Sequence, residues 1–265
     1  MEIVRGFFNL FTLNFSGFVS YFNQAPIIIT WIIFLFFCLL AILFLLKFFG
    51  EVGIYLYTTI AVIAANIQVL KIVDFPFFYN PIALGTILFA TTFFATDILT
   101  EYYGVKFARR NILISFVGFL LMTIIMLFTL GFKPLSIEIA GDDYAWALNI
   151  QNHLLGIFLP LPIFFVSSMI AFLLSQFFDV WIYEKISQIT KKKYIWVRNN
   201  ISTILSSFLD NTIFSVFAWI ILNPNPLDFK IVFFTFIIGT FVLRIFLAII
   251  DTPFIYLAKY FVPKK

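Results

Sequence analysis

Residues 26–49 read Pro-Ile-Ile-Ile-Thr-Trp-Ile-Ile-Phe-Leu-Phe-Phe-Cys-Leu-Leu-Ala-Ile-Leu-Phe-Leu-Leu-Lys-Phe-Phe, and their one charge, Lys47, falls near the far end. A helix of roughly 20 apolar residues covers the hydrocarbon core of a bilayer, about 30 Å. The stretch therefore predicts a membrane-crossing helix. It is much longer than the apolar core of a signal peptide, about 7 to 15 residues, and no small-residue cleavage pattern follows it, so it is expected to be retained.

Working outward, six further apolar runs of similar length follow, at about 52–73, 81–102, 108–132, 154–182, 199–222 and 231–258. The chain is 63% hydrophobic and 11% charged, whereas soluble domains carry about 25% charged residues. The expected fold class is all-α, a polytopic membrane helix bundle. The 40 phenylalanines fit a lipid-facing bias better than an aromatic cofactor box. Cys38 is the only cysteine, which excludes an internal disulfide and a cysteine-based metal site.

The net charge of +4 sits in short basic clusters between apolar runs, where it reads as a topology signal and not as a nucleic-acid surface. One alternating set of loops carries twelve basic residues: Lys47, Lys106, Arg109, Arg110, Lys185, Lys191, Lys192, Lys193, Arg198, Lys259, Lys264 and Lys265. The other carries four, Arg5, Lys71, Lys133 and Lys230. Positive loops stay cytoplasmic, so the N-terminus is expected outside and the C-terminus inside. Trp181, Tyr183, Trp196, Tyr256 and Tyr260 fall near the cytoplasmic ends of the runs, as interfacial anchors do.

A charge at mid-membrane costs about 2.5–3.5 kcal/mol on insertion scales, so ionisable residues within the runs are functional candidates by default. They are Asp97, Asp179, Asp210, Arg244 and Asp251. Asp97 and Asp179 lie near the ends of their runs, where pairing with the following basic loops is an equal alternative. Asp210 is the deepest acid. Around it Asn199, Ser202, Thr203, Ser206, Asp210 and Asn211 recur at helical spacing and form one polar stripe. In lipid such a stripe must face other helices or a water-filled cavity; hydroxyls there also serve as helix glue.

Glu101 lies one turn beyond Asp97, and pairing with Lys106 or Arg109 is its simplest account. Arg244 needs an acid, with Asp251 or Asp210 the available partners. Asp251-Thr252-Pro253 has the look of a helix restart, a device that either marks a binding site or serves packing. Asn66 and Gln68 add amides able to donate and accept. Ala61, Ala64 and Ala65 form a small-residue patch better suited to close packing within the chain than to docking a partner. His153 is the only histidine, has no second ligand at metal spacing, and reads as a surface residue. No hydrolase, phosphate-loop or zinc-protease motif occurs, so neither an enzyme nor a cofactor is expected.

The stretch Ala95-Thr-Asp-Ile-Leu-Thr-Glu-Tyr-Tyr-Gly-Val-Lys-Phe-Ala-Arg-Arg110 resembles the queuosine precursor transporter family, also called the vitamin uptake transporter family. Three further blocks fit the pattern: Ser175-Gln-Phe-Phe-Asp-Val-Trp181, Trp196-Val-Arg-Asn-Asn-Ile-Ser-Thr203 continuing through Asp210, and Leu243-Arg-Ile-Phe-Leu-Ala-Ile-Ile-Asp-Thr-Pro253. The resemblance implies import across the inner membrane of 7-cyano-7-deazaguanine or 7-aminomethyl-7-deazaguanine for queuosine modification of tRNA. Some relatives take queuine or queuosine instead. The chain departs from the usual six-helix pattern by the helix at 26–49. That divides it into an N-terminal segment, 1–50, and a six-helix core, 51–265.

Such a substrate presents an N1 proton and a 2-amino group on one edge, which one carboxylate can accept together. Asp210 is the expected acceptor, and Asp97 the second acid for the aminomethyl cation. Asn66, Gln68 and Asn211 are candidates for the 6-oxo edge, Ser206 belongs to the same stripe, and aromatic faces would sandwich the ring. Arg244, Asp251, Asp179 and Glu101 are expected in coupling or structural ion pairs, with protons as the candidate coupling ion. A substrate-binding subunit of an ATP-driven importer is the alternative assembly.

Overall fold

The computed structural model describes residues 2–76, 82–159 and 161–263. Pro81, where a crossing is expected to begin, and Lys264 and Lys265 of the charge count lie outside the described residues. Two short helices, Glu2–Phe11 (α1) and Phe15–Gln24 (α2), precede the first crossing. Asn14 caps the second by accepting from the Gly17 amide at 3.0 Å.

Ile27–Gln68 (α3) is helical over 42 residues except at Gly50, whose φ of 58° and ψ of −138° turn the chain. Only glycine adopts that conformation without strain. The two arms fold back on one another. A Cβ at Gly53 would collide with the Leu45 carbonyl oxygen, although eight residues of straight helix would separate the two by about 12 Å. Cys38 on the first arm and Tyr57 on the second belong to the same buried cluster. The hairpin thus supplies the crossings expected at 26–49 and 52–73, the second ending at Gln68.

A two-residue antiparallel pairing, Ile72–Val73 (β1) with Ile82–Ala83 (β2), follows. Thr86–Tyr102 (α4) is the hub, buried at every position from Thr91 to Thr100 and wrapped by the helices to either side. Val105–Gly131 (α5) is next, then Ile137–Ala140 (α6) and Ile150–Phe158 (α7). Leu161–Ile189 (α8) runs past the expected end at 182, because Tyr183 and Ser187 continue its buried face while Lys185 and Ile189 point outward.

Ile195–Val216 (α9) ends in a π-helical turn, Phe217–Ile221. The last crossing starts at Phe229–Ile231 (α10), passes through a second π segment, Val232–Ile238, and continues as Gly239–Ala258 (α11). The restart expected at Asp251-Thr252-Pro253 is not a break: α11 runs through Pro253, with the Thr252 hydroxyl donating to the Ala248 carbonyl at 3.0 Å. Irregular backbone lies instead at the two π segments, a form of helix enriched at functional sites.

The packing is that of an integral membrane bundle. Phe37, Phe44, Phe128 and Phe246 face outward, while Asp97, Asp179, Gln176, Asn199, Ser202 and Ser206 are wholly enclosed. Among the described residues, five helices are long and apolar enough to cross a bilayer, α3 among them, and the fold at Gly50 divides α3 into two arms. Lipid is the solvent this surface fits, and every buried polar group must be satisfied within the protein.

Candidate functional site

The site grows from the antiparallel pairing of α8 and α9, the most extensive helix contact among the described residues. Stepping four residues down one helix and four up the other keeps facing side chains in register. Ser175 donates to Asp210 Oδ1 at 3.0 Å. One turn on, Ser206 lies 2.7 Å from Asp179 Oδ1. One turn further on α8 and two on α9, the guanidinium of Arg198 lies over the Tyr183 ring, 5.7 Å from its centroid. The stripe expected on α9 is this seam: Asn199, Ser202, Thr203, Ser206, Asp210 and Asn211 are all buried.

At the Gly85 end of the bundle the seam opens into a cavity of about 320 Å³. Its polar lining includes Asp210, Asn211, Ser168, Ser215, Thr240 and Arg244. Arg244 Nη1 pairs with Asp210 Oδ2 at 2.6 Å, while its buried Nε has no partner. Of the two acids open to Arg244, Asp210 is the one it takes. Asn211 donates to Thr240 at 2.8 Å. The apolar walls are aromatic. Trp219 stacks on Phe236 at 4.7 Å and meets Phe164 edge-on at 5.3 Å, and Phe89 and Phe214 complete the wall. The indole N–H of Trp219 is buried and unpaired. Both stacked rings belong to the π segments, whose wider turns present them to the cavity.

The other end of the seam is closed. Arg198 donates Nε and Nη2 to Glu101 at 2.8 and 2.6 Å and Nη1 to the Lys193 carbonyl at 3.0 Å, and Tyr183 adds a hydroxyl to Glu101 at 2.8 Å. The pairing of Glu101 with Lys106 or Arg109 is thereby corrected. Those bases follow the turn at Gly104 on α5 and leave the bundle, whereas Arg198 reaches inward along the seam. The Gly50 turn is at this same end, since a Cβ on Gly50 would lie 3.3 Å from the Tyr103 hydroxyl.

Between the two ends, three acids from three helices meet one face of α9. Thr203 donates to Asp97 Oδ2 at 3.1 Å, Ser206 lies against Asp179, and Asn199 Nδ2 donates to Asp251 Oδ1 at 2.9 Å. None of the three acids lines the cavity. Gln176 clamps α8 to the hub, accepting from Thr96 at 2.9 Å and donating to Thr92 at 2.8 Å.

The two amides of the second crossing part company from the cavity. Asn66 donates to the Val62 carbonyl at 2.8 Å and borders a crevice of about 20 Å³ with Phe119, Phe158 and Phe165. Gln68 lines a second cavity of about 310 Å³ with Trp31, Phe34 and Lys71. Ile82, Leu84 and Thr86 border both large cavities. Ser175, Gln176, Tyr183 and Trp219 escaped notice as candidates. The signal for the α8 residues was in plain view, because Ser175, Gln176, Asp179 and Tyr183 repeat at three- and four-residue spacing.

Comparison with known proteins finds a family and a relative for this chain. Residues 83–258 match the family model described as putative vitamin uptake transporter. The chain is 32% identical over 234 residues to a protein of Bacillus subtilis (strain 168) named as a probable queuosine precursor transporter, covering 88% of this chain and 95% of that one. No solved structure matches the chain.

Proposed function

The chain belongs to the putative vitamin uptake transporter family, and from that membership we propose that it imports queuosine precursors across the inner membrane, 7-cyano-7-deazaguanine and 7-aminomethyl-7-deazaguanine foremost. The relative's name supports the substrate class. The observation that carries the reading is the cavity bordered by Asp210, Arg244 and Trp219. A 7-deazaguanine offers two donors on its N1 and 2-amino edge and an acceptor at its 6-oxo group. Asp210 accepts from the first edge, the unpaired Arg244 Nε and Trp219 Nε1 donate to acceptors, and the stacked Trp219 and Phe236 hold the flat ring.

Size favours the base over a nucleoside. About 320 Å³ is at the small end of ligand pockets, which run from about 300 to 1,000 Å³. The excess of basic residues at the Gly104 end supports a cytoplasmic position for that end. The cavity then faces outward, and the Glu101–Arg198–Tyr183 cluster seals the cytoplasmic side. Import follows from exchanging which end is sealed.

The test is rescue of tRNA queuosine in a host lacking both its own transporter and precursor synthesis, with each 7-deazaguanine supplied separately. One of the two bases is expected to restore the modification. If neither does while the protein is present in the membrane, the substrate reading fails.

A further inference from the structure

Between cavity and seal the protein holds more acid than base. The two arginines facing the seam are both engaged, Arg244 by Asp210 and Arg198 by Glu101. Asp97, Asp179 and Asp251 have no cation among the described residues, although the first two are fully enclosed and the third is 4% exposed. Three ionised carboxylates in hydrocarbon would cost several kcal/mol each.

The hydrogen bonds say what is missing. Asp97 Oδ1, Asp179 Oδ2 and the amide oxygen of Asn199 are buried without a partner, and all are acceptors. Asp97 and Asp179 are held on one face of α9 by Thr203 and Ser206, one turn apart, where two bare carboxylates would repel each other. Ser206 carries one hydroxyl proton yet faces two strong acceptors, the Ser202 carbonyl at 2.6 Å and Asp179 Oδ1 at 2.7 Å. A proton on Asp179 resolves the competition: the acid donates to Ser206, which donates to Ser202. A proton is the group that fits these unpaired acceptors.

We propose that the Asp97–Asp179 pair, with Asp251 beside it, is a proton-binding site distinct from the ligand cavity, and that its loading and unloading is coupled to import of the precursor. The route is the α8–α9 seam. Ser175 touches Asp210 in the cavity and lies one turn from Asp179; Ser206 touches Asp179 and lies one turn from Asp210. A turn is about 6 Å. A proton from the outer water reaches Asp210, passes through the hydroxyls to a carboxylate oxygen of the pair, and leaves to the cytoplasm when the Glu101–Arg198 seal opens. The other groups around the pair are Tyr183 on α8, bonded to Glu101 on α4, which Arg198 on α9 holds, and Asp251 on α11, bonded to Asn199.

The inference rests on the transport reading, and two measurements on the full-length protein separate their fates. The first needs no substrate: the infrared carbonyl band of a protonated, enclosed carboxyl at neutral pH. It is expected in the wild type and reduced or shifted in Asp179→Asn, where the other enclosed acids still contribute; a wild type without it, or an Asp179→Asn band identical to the wild type, overturns the proton site. The second uses proteoliposomes containing a pH dye, with 7-cyano-7-deazaguanine added outside. Each molecule entering is expected to bring a proton, and an inward gradient of one pH unit to drive about tenfold accumulation. Asp179→Asn abolishes the proton signal and Asp179→Glu restores it. Accumulation that ignores a protonophore, or follows sodium instead, overturns the coupling. An intact infrared band with no uptake of any 7-deazaguanine overturns the substrate reading and leaves the proton site standing.

Discussion

The two buried ion pairs have the same length and opposite characters. Arg244–Asp210 and Arg198–Glu101 each close at 2.6 Å. Arg198 spends Nε, Nη1 and Nη2 on protein acceptors and lies over the Tyr183 ring. Arg244 makes one such bond, to Asp210, keeps Nε free, and borders the cavity. A saturated pair is a fastener, whereas one with bonding capacity left over is a receptor. Removing one partner of a buried pair strands the other charge, so both should be sensitive, but different things should be lost.

The largest effect is expected at the receptor. Asp210→Asn removes the acceptor for the substrate edge and leaves Arg244 without a counter-charge. Losing one member of such a pair costs about 3–5 kcal/mol, or roughly a hundredfold or more in initial uptake, with membrane insertion intact by immunoblot. Wild-type uptake by an inserted Asp210→Asn protein would take this residue out of the site.

At the fastener, Arg198→Lys keeps the charge and loses the two-pronged grip on Glu101, a substitution that is not conservative at a bidentate site. Uptake is expected to fall about tenfold, equivalent to about 1.4 kcal/mol, together with a lower unfolding temperature in detergent. If melting and uptake are both unmoved, the cluster is not a seal and the contrast between the pairs collapses.

The contrast was only half legible in the sequence. The crossings announce themselves by length and apolarity, and the α9 stripe by its spacing, since both are local patterns. The demand of Arg244 for an acid was equally plain. The choice of Asp210 was not, because it depends on how α9 and α11 are rotated. Glu101 misled for the same reason. Lys106 and Arg109 are near in sequence, but Gly104 ends the helix and sends them outside, while Arg198 is 97 residues away and faces inward. The reversal at Gly50 and the π segments around Trp219 and Phe236 are backbone events that leave little trace in composition. Asn66 and Gln68 are two residues apart on a helix, so they point to different sides, and the deeper lining comes from α8, α9 and α11 instead.

A smaller effect is expected on the cavity wall. Trp219→Phe keeps a ring against Phe236 and deletes only the unpaired indole N–H. One hydrogen bond to a neutral acceptor is worth about 1 kcal/mol, so the apparent affinity should weaken about fivefold with the maximal rate little changed. A drop in rate at constant affinity would mean that Trp219 moves with the transport cycle instead of holding the base.

The smallest effect locates the edge of the site. The Asn66 amide is bonded within its own helix and faces a crevice too small for a substrate, so Asn66→Ala should change uptake by less than about twofold, within the range of an ordinary helix–helix contact in a membrane. Gln68→Ala is the sharper probe, because Gln68 borders the second cavity, divided from the first by Ile82, Leu84 and Thr86. If the base stays in the first cavity throughout, Gln68→Ala also leaves uptake within about twofold. A loss as large as that of Trp219→Phe would mean that the substrate crosses the Ile82–Thr86 boundary on its way in. The receptor would then comprise both cavities, with Arg244 at the floor of only one of them.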